Sequence, residues 1–286
     1  MWNSKDVYFV SDSTGILATN LGHALLRQFP EISFHEERFP FVLTEEEARK
    51  ALAYILKQSG GRRPLIFSTI MNDAVRNIFD HPEVELFDAF EAFMERLEGC
   101  LEAKALRVPG FSRHVDNITM AKRVEAIHFT LEHDDGIRPD EIDGADVILL
   151  GVSRAGKTPV SVYLATQLGL KAANYPLTAE ILRQYRLPEE LRRNVKRTIG
   201  LTTTPEMLHT VREQRYPEST YARLATCIEE IHQAEQIFRN HNIPIISTAG
   251  KSIEETATQV TQELGLSKKP AALNNEGWPP PPAAPG

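Results

Sequence analysis

The sequence predicts an α/β protein with a mostly parallel sheet and flanking helices. Three observations predict it. Short β-prone apolar runs alternate with segments whose apolar residues recur at helical spacing. The clearest apolar run, Ala145 to Leu150, passes straight into a glycine-bounded loop, Gly151-Val152-Ser153-Arg154-Ala155-Gly156-Lys157-Thr158. A helical pattern, Val160 to Leu170, follows that loop.

The elements follow in order. Val7 to Val10 is β-prone, and Ser11-Asp12-Ser13-Thr14-Gly15 is a polar turn. Ile16 to Phe29 then carries Leu21, Ala24, Leu25 and Phe29 at helical spacing. Pro64 to Ser68 reads as a strand, Asn72 to Phe79 as the helix after it and Glu85 to Asp88 as a third strand. Asn117 to Glu132 is predicted helical, with Met120, Val124, Ile127 and Leu131 on one face, and His133-Asp134-Asp135-Gly136 ends it. Ala172 to Leu177 reads as strand and turn, Ser219 to Asn240 as a long helix and Ile243 to Thr248 as a strand. Ile253 to Leu264 is the last helix, with Ser252 and Glu255 at capping-box spacing.

Residues 268 to 286 differ from the rest. Pro270, the four prolines at 279 to 282 and Pro285 leave no apolar periodicity, so a disordered tail is expected. The polar loop before Gly144 suggests a division into an N-terminal α/β domain, 1–136, and a C-terminal domain, 137–267.

At 286 residues and 42% hydrophobic content the chain can bury a sizeable core. A formal net charge of -7 gives no support to a nucleic-acid partner. Cys100 and Cys227 are too few for a disulfide framework. The first residues lack a basic region followed by an apolar run. No apolar stretch approaches the roughly 20 residues that span a bilayer. These features predict a cytoplasmic protein with reduced thiols and no membrane association.

The loop matches G-x-x-x-x-G-K-[S/T] at every fixed position, which predicts a phosphate site in a P-loop kinase-like C-terminal part. Gly151 and Gly156 allow the tight turn that aims successive N–H groups at phosphate oxygens. Lys157 supplies a cation for the terminal phosphate and Thr158 a hydroxyl for Mg²⁺. The following helix adds its positive end, and Pro159 suits its first turn. The usual companion carboxylate is missing downstream, since Ile243 to Ile246 ends in Ser247. Asp88, Asp134 and Asp135 are the candidates upstream, as metal ligand or general base.

Ser11 to Gly15 reads either as a second anion-binding loop or as an N-cap cluster. Arg183, Arg186, Arg192, Arg193, Lys196, Arg197, Arg212 and Arg215 read either as a phosphate-clamping lid or, more commonly, as solvated helix faces.

Gly151 to Pro159 resembles the signature of the bacterial phosphoenolpyruvate synthase regulatory proteins, relatives of the pyruvate, phosphate dikinase regulatory proteins. Ser11-Asp12-Ser13-Thr14-Gly15, Leu21-Gly22-His23, His133-Asp134-Asp135-Gly136, Ala173-Asn174-Tyr175-Pro176, Gly200-Leu201-Thr202 and Ser252-Ile253-Glu254-Glu255 are similar too, in order along the chain. The resemblance runs from about residue 7 to 267. Gly156 and the Ala-Asn-Tyr-Pro run are closer to the synthase branch, and Ser13 to the dikinase branch.

The resemblance implies a bifunctional serine/threonine-protein kinase. It would phosphorylate a threonine of the target with ADP, inactivating it. It would also remove that phosphate with inorganic phosphate as co-substrate, releasing pyrophosphate. Residues Gly151, Val152, Ser153, Arg154, Ala155, Gly156, Lys157 and Thr158 would hold the ADP, with Lys157, Asp134 and Asp135 catalytic and Thr158 on Mg²⁺. The implied partner is phosphoenolpyruvate synthase or pyruvate, phosphate dikinase, and the oligomeric state, a homodimer included, is left open. A P-loop small-molecule kinase and a non-catalytic nucleotide sensor are the competing readings.

Overall fold

The computed structural model describes residues 4–108 and 117–266. Backbone contacts divide the described residues into two units, 4–108 and 117–266.

In the first unit, strands β1 (Ser4–Ser11), β2 (Ser33–Phe39), β3 (Leu65–Thr69) and β4 (Glu85–Asp88) form one sheet in the order β2-β1-β3-β4. All its pairings are parallel. The helices are α1 (Ile16–Leu26), α2 (Glu45–Ser59), α3 (Asp73–Arg76) and α4 (Glu91–Leu101). Val7, Tyr8, Phe9 and Val10 are all buried, as in a strand covered on both faces. Tyr8 and Val10 join the core that includes Ile55 of α2, and Val7 and Phe9 join the one that includes Ala18 of α1.

The second unit holds α5 (Asn117–Glu132), β5 (Val147–Gly151), α6 (Lys157–Tyr163), β6 (Ala172–Pro176), α7 (Ala179–Gln184), α8 (Glu189–Arg193), β7 (Thr198–Thr202), α9 (Pro205–Arg215), α10 (Leu224–Asn240), β8 (Ile245–Ser247) and α11 (Ile253–Glu263). Its sheet runs β6-β5-β7-β8, again all parallel. Strand β5 is wholly buried. Val147 and Leu149 join Val160, Leu164 and Val260 in one core, while Ile148 and Leu150 join Leu182 and Phe238 in the other. The predicted α/β class with mostly parallel strands and flanking helices is therefore what the chain adopts. No helix among the described residues is long and apolar enough to cross a membrane.

One expectation changes, and one strand was not foreseen. In the division by contacts α5 goes with the second unit, since it packs on β6 and on the π-helical turn Leu164–Leu168 that continues α6. The face of α5 expected to be buried is largely exposed at Met120, Val124 and Leu131. Ala126 and Thr130 are buried instead, followed by His133 just past the helix. Small and polar side chains win there because Thr130 Oγ1 accepts from the Ala172 amide (3.0 Å) and the His133 carbonyl accepts from the Asn174 amide (3.0 Å). Strand β7 carries no strong apolar signal, since its sequence is Thr-Ile-Gly-Leu-Thr. Its glycine is required by packing: a Cβ at Gly200 would lie 2.5 Å from the Phe238 ring. The expected proline-rich tail lies outside the described residues.

Candidate phosphate-binding site

The site begins at the carboxyl end of β5, where open α/β sheets place their ligands. Gly151 closes the strand at a point of tight contact. A Cβ there would sit 2.6 Å from the Leu201 carbonyl oxygen. The loop then turns through Arg154 (φ 74°) and Gly156 (φ 88°), both left-handed, and α6 starts at Lys157. Such turns direct consecutive N–H groups into one concavity, and the helix end adds positive potential. Thr248 Oγ1 lies 3.3 Å from the Ala155 carbonyl and 3.2 Å from that of Thr202, so it ties the loop to the end of β7.

Lys157 is buried and its Nζ donates to the Val152 carbonyl at 2.9 Å. Burial pushes its pKa down to about 8, against the attraction of Asp135 and Asp134, and the cations Arg212 and Arg154 lower it further. Thr158 Oγ1 donates to Asp134 Oδ1 at 3.0 Å. Asn174 Nδ2 bridges the pair, donating to Asp134 Oδ1 (2.5 Å) and to Thr158 Oγ1 (2.8 Å). Asp134 reaches this position because β6 lies beside β5 and the end of α5 is tied to β6. His133 locks that end: its Nδ1 lies 2.8 Å from the Phe129 carbonyl and its ring stacks on Phe129 at 3.9 Å. Asp135 follows in a left-handed conformation (φ 55°) and is exposed.

Of the residues singled out in the sequence, the fold brings together the loop 151–158 and Asp134, with Asp135 near enough to influence Lys157. Asp88 lies in the first unit, where it accepts from the Phe90 and Glu91 amides at the start of α4 and pairs with Arg76. Ser11 to Gly15 lines a cavity of about 800 Å³ in that unit, with Asn20, Met71 and Arg107 among its other walls. Arg183, Arg186, Arg192, Arg193 and Lys196 are exposed, as solvated helix faces would be. Arg212 is not: it is fully buried under the loop.

Sequence reasoning missed Asn174, Thr248 and the position of Arg212. Asn174 gave one signal, a polar residue inside an otherwise apolar strand.

Among the described residues no three His, Cys, Asp or Glu side chains gather as a metal site. The Asp134 carboxylate and Thr158 hydroxyl are hard oxygen donors side by side. They suit Mg²⁺, which keeps several waters and takes few protein ligands.

A parallel α/β sheet with this strand–loop–helix and a buried lysine at the helix start defines a P-loop protein of the kinase-like class. The chain belongs to the kinase/pyrophosphorylase family, whose model matches residues 7–261. A relative from Desulfotalea psychrophila is 45% identical over 270 residues, covering 94% of this chain and 99% of its own. Another from Laribacter hongkongensis is 44% identical over 275 residues, covering 94% and 100%. A third from Alkalilimnicola ehrlichii is 42% identical over 268 residues, covering 93% and 97%. All three carry the provisional name phosphoenolpyruvate synthase regulatory protein.

Proposed function

We propose that this chain regulates phosphoenolpyruvate synthase by moving one phosphoryl group on and off a threonine of that enzyme. ADP is the donor in one direction and inorganic phosphate the acceptor in the other. The observation that carries the reading is the Thr158–Asp134 contact beside a P-loop whose lysine is buried. The relatives' name supplies the partner.

In the forward direction the loop N–H groups and Lys157 hold the ADP β-phosphate. Asp134 and Thr158 would hold Mg²⁺, which neutralises phosphate charge when bound. Asp135, exposed beside the loop, accepts the proton of the target threonine hydroxyl. The threonine oxygen bonds to the β-phosphorus, the bond to the α–β bridging oxygen breaks, and AMP leaves. In the reverse direction an oxygen of inorganic phosphate attacks the phosphothreonine phosphorus. The threonine oxygen leaves, takes a proton from Asp135, and pyrophosphate is released. Positioning and charge neutralisation do most of the work in such transfers.

The test is to incubate the protein with purified phosphoenolpyruvate synthase, and in parallel with purified pyruvate, phosphate dikinase, supplying ADP labelled at the β-phosphate or ATP labelled at the γ-phosphate. Label on a synthase threonine, chased off as pyrophosphate by inorganic phosphate, is expected. Label only on pyruvate, phosphate dikinase would move the target. Equal use of ATP and ADP would remove the ADP-donor reading.

A further inference from the structure

We infer that Arg212 and Tyr221 are positioning residues for the P-loop, gripping Ser153 by its carbonyl and its hydroxyl and so fixing the left-handed turn at Arg154. The inference rests on the phosphate-site reading above and deepens it.

Arg212 sits in a basic stretch that reads as a solvated helix face, yet none of its surface reaches solvent. Burying a guanidinium is costly unless its donors find partners; in Arg212 both Nη nitrogens do, while the buried Nε has none among the described residues. Here Nη2 donates to the Ser153 carbonyl at 3.0 Å and to Glu230 Oε2 at 2.6 Å, and Nη1 donates to the Tyr221 carbonyl at 3.1 Å. The guanidinium also lies over the Tyr221 ring, 4.0 Å from its centroid. The Tyr221 hydroxyl in turn donates to Ser153 Oγ at 2.8 Å. Both groups therefore converge on one residue of the loop.

That residue is the one before the strain. Arg154 is a non-glycine in the left-handed region at φ 74°, a strained conformation that persists only where surroundings enforce it. Fixing the Ser153 carbonyl fixes the peptide plane that leads into Arg154. The orientation of the amides beyond it, which face phosphate in a P-loop, follows. A planar fork can reach carbonyl and carboxylate together, whereas an ammonium cannot reproduce that geometry.

The test uses the full-length protein and the variants Tyr221→Phe, Ser153→Ala, their double variant, and Arg212→Lys. The deciding readout is amide hydrogen exchange across residues 151–158 without nucleotide, beside the melting temperature. ADP affinity is measured by calorimetry. Tyr221→Phe is expected to speed exchange in that segment alone, to leave the melting temperature unchanged and to weaken ADP binding about 3- to 10-fold. The double variant should be no worse than either single one, because all three lose the same contact. Arg212→Lys should weaken ADP binding by more than about tenfold. Should it fail to fold, Tyr221→Phe still decides, since Tyr221 is partly exposed. Wild-type exchange across 151–158 in Tyr221→Phe overturns the inference whether or not ADP binds. Faster exchange in a protein whose wild type binds no ADP would remove the nucleotide reading and leave the positioning role standing.

Discussion

Thr158 and Asp134 stand 24 positions apart in the chain and share a hydrogen bond of 3.0 Å, with the Asn174 amide donating to both. The contact supplies, from the end of α5, the carboxylate that the strand ends after the P-loop lack. Asp134→Asn keeps the shape and removes the charge. It should lower Mg²⁺-dependent transfer by about 10- to 100-fold, and Asn174→Ala should lower it less, since Asn174 acts only through its two partners. Initial rates over a Mg²⁺ titration check this. Unchanged Mg²⁺ dependence in Asp134→Asn would remove the carboxylate from the metal role.

Lys157→Met should reduce ADP-dependent transfer by on the order of 3 kcal/mol or more in transition-state stabilisation, as expected when a preorganised charge facing the phosphoryl group is lost. The nucleotide-free protein should melt no lower than wild type, because the variant replaces a desolvated cation, buried at 5% exposure, with an apolar chain of similar length. Thermal melts and label transfer measured on one preparation separate the two effects. A folded variant with near-normal transfer would disprove the assignment.

The pH dependence follows from the same amine. Its pKa is pushed from 10.5 to about 8 by burial. Phosphate binds the protonated form, so ADP affinity should fall as pH rises above about 8, by at most about tenfold per pH unit. Lys157→Arg, which stays charged, should show no such decline. Stability moves the other way. Between about 8 and 10.5 the unfolded chain binds the proton more tightly than the folded one, so this group makes the nucleotide-free protein more stable as pH rises through that window. Below about 8 the full penalty of the buried charge is present. Calorimetric titrations with ADP from pH 7 to 9.5 test the first statement, and denaturant unfolding of wild type against Lys157→Met tests the second.

Gly151→Ala should destabilise the second unit by about 1–3 kcal/mol, the range for overpacking a well-filled interior. The clash is with a backbone oxygen of the neighbouring strand, 2.6 Å from the new Cβ, and cannot be relieved by a rotamer change. Denaturant unfolding gives the difference directly. A change under half a kcal/mol would mean that β5 and β7 separate more easily than their packing indicates.

Local pattern alone determined the elements whose signal is self-contained. The P-loop, its preceding strand, the helix Asn117–Glu132 and the Ser252–Glu255 capping box are all written in residue type and short-range spacing. The tertiary structure decided what depends on neighbours far along the chain. β7 is central in its sheet but reads weakly, because Gly200 is there to admit the Phe238 ring. The buried face of α5 was set by hydrogen bonds to β6 and not by its apolar stripe. Arg212, on α9, could not be told from its solvated neighbours until α10 and Tyr221 closed over it beneath Ser153. Periodicity reports which side chains share a face. Which face is covered, and which polar atoms must find partners there, is fixed only when the strand order β6-β5-β7-β8 brings remote segments together.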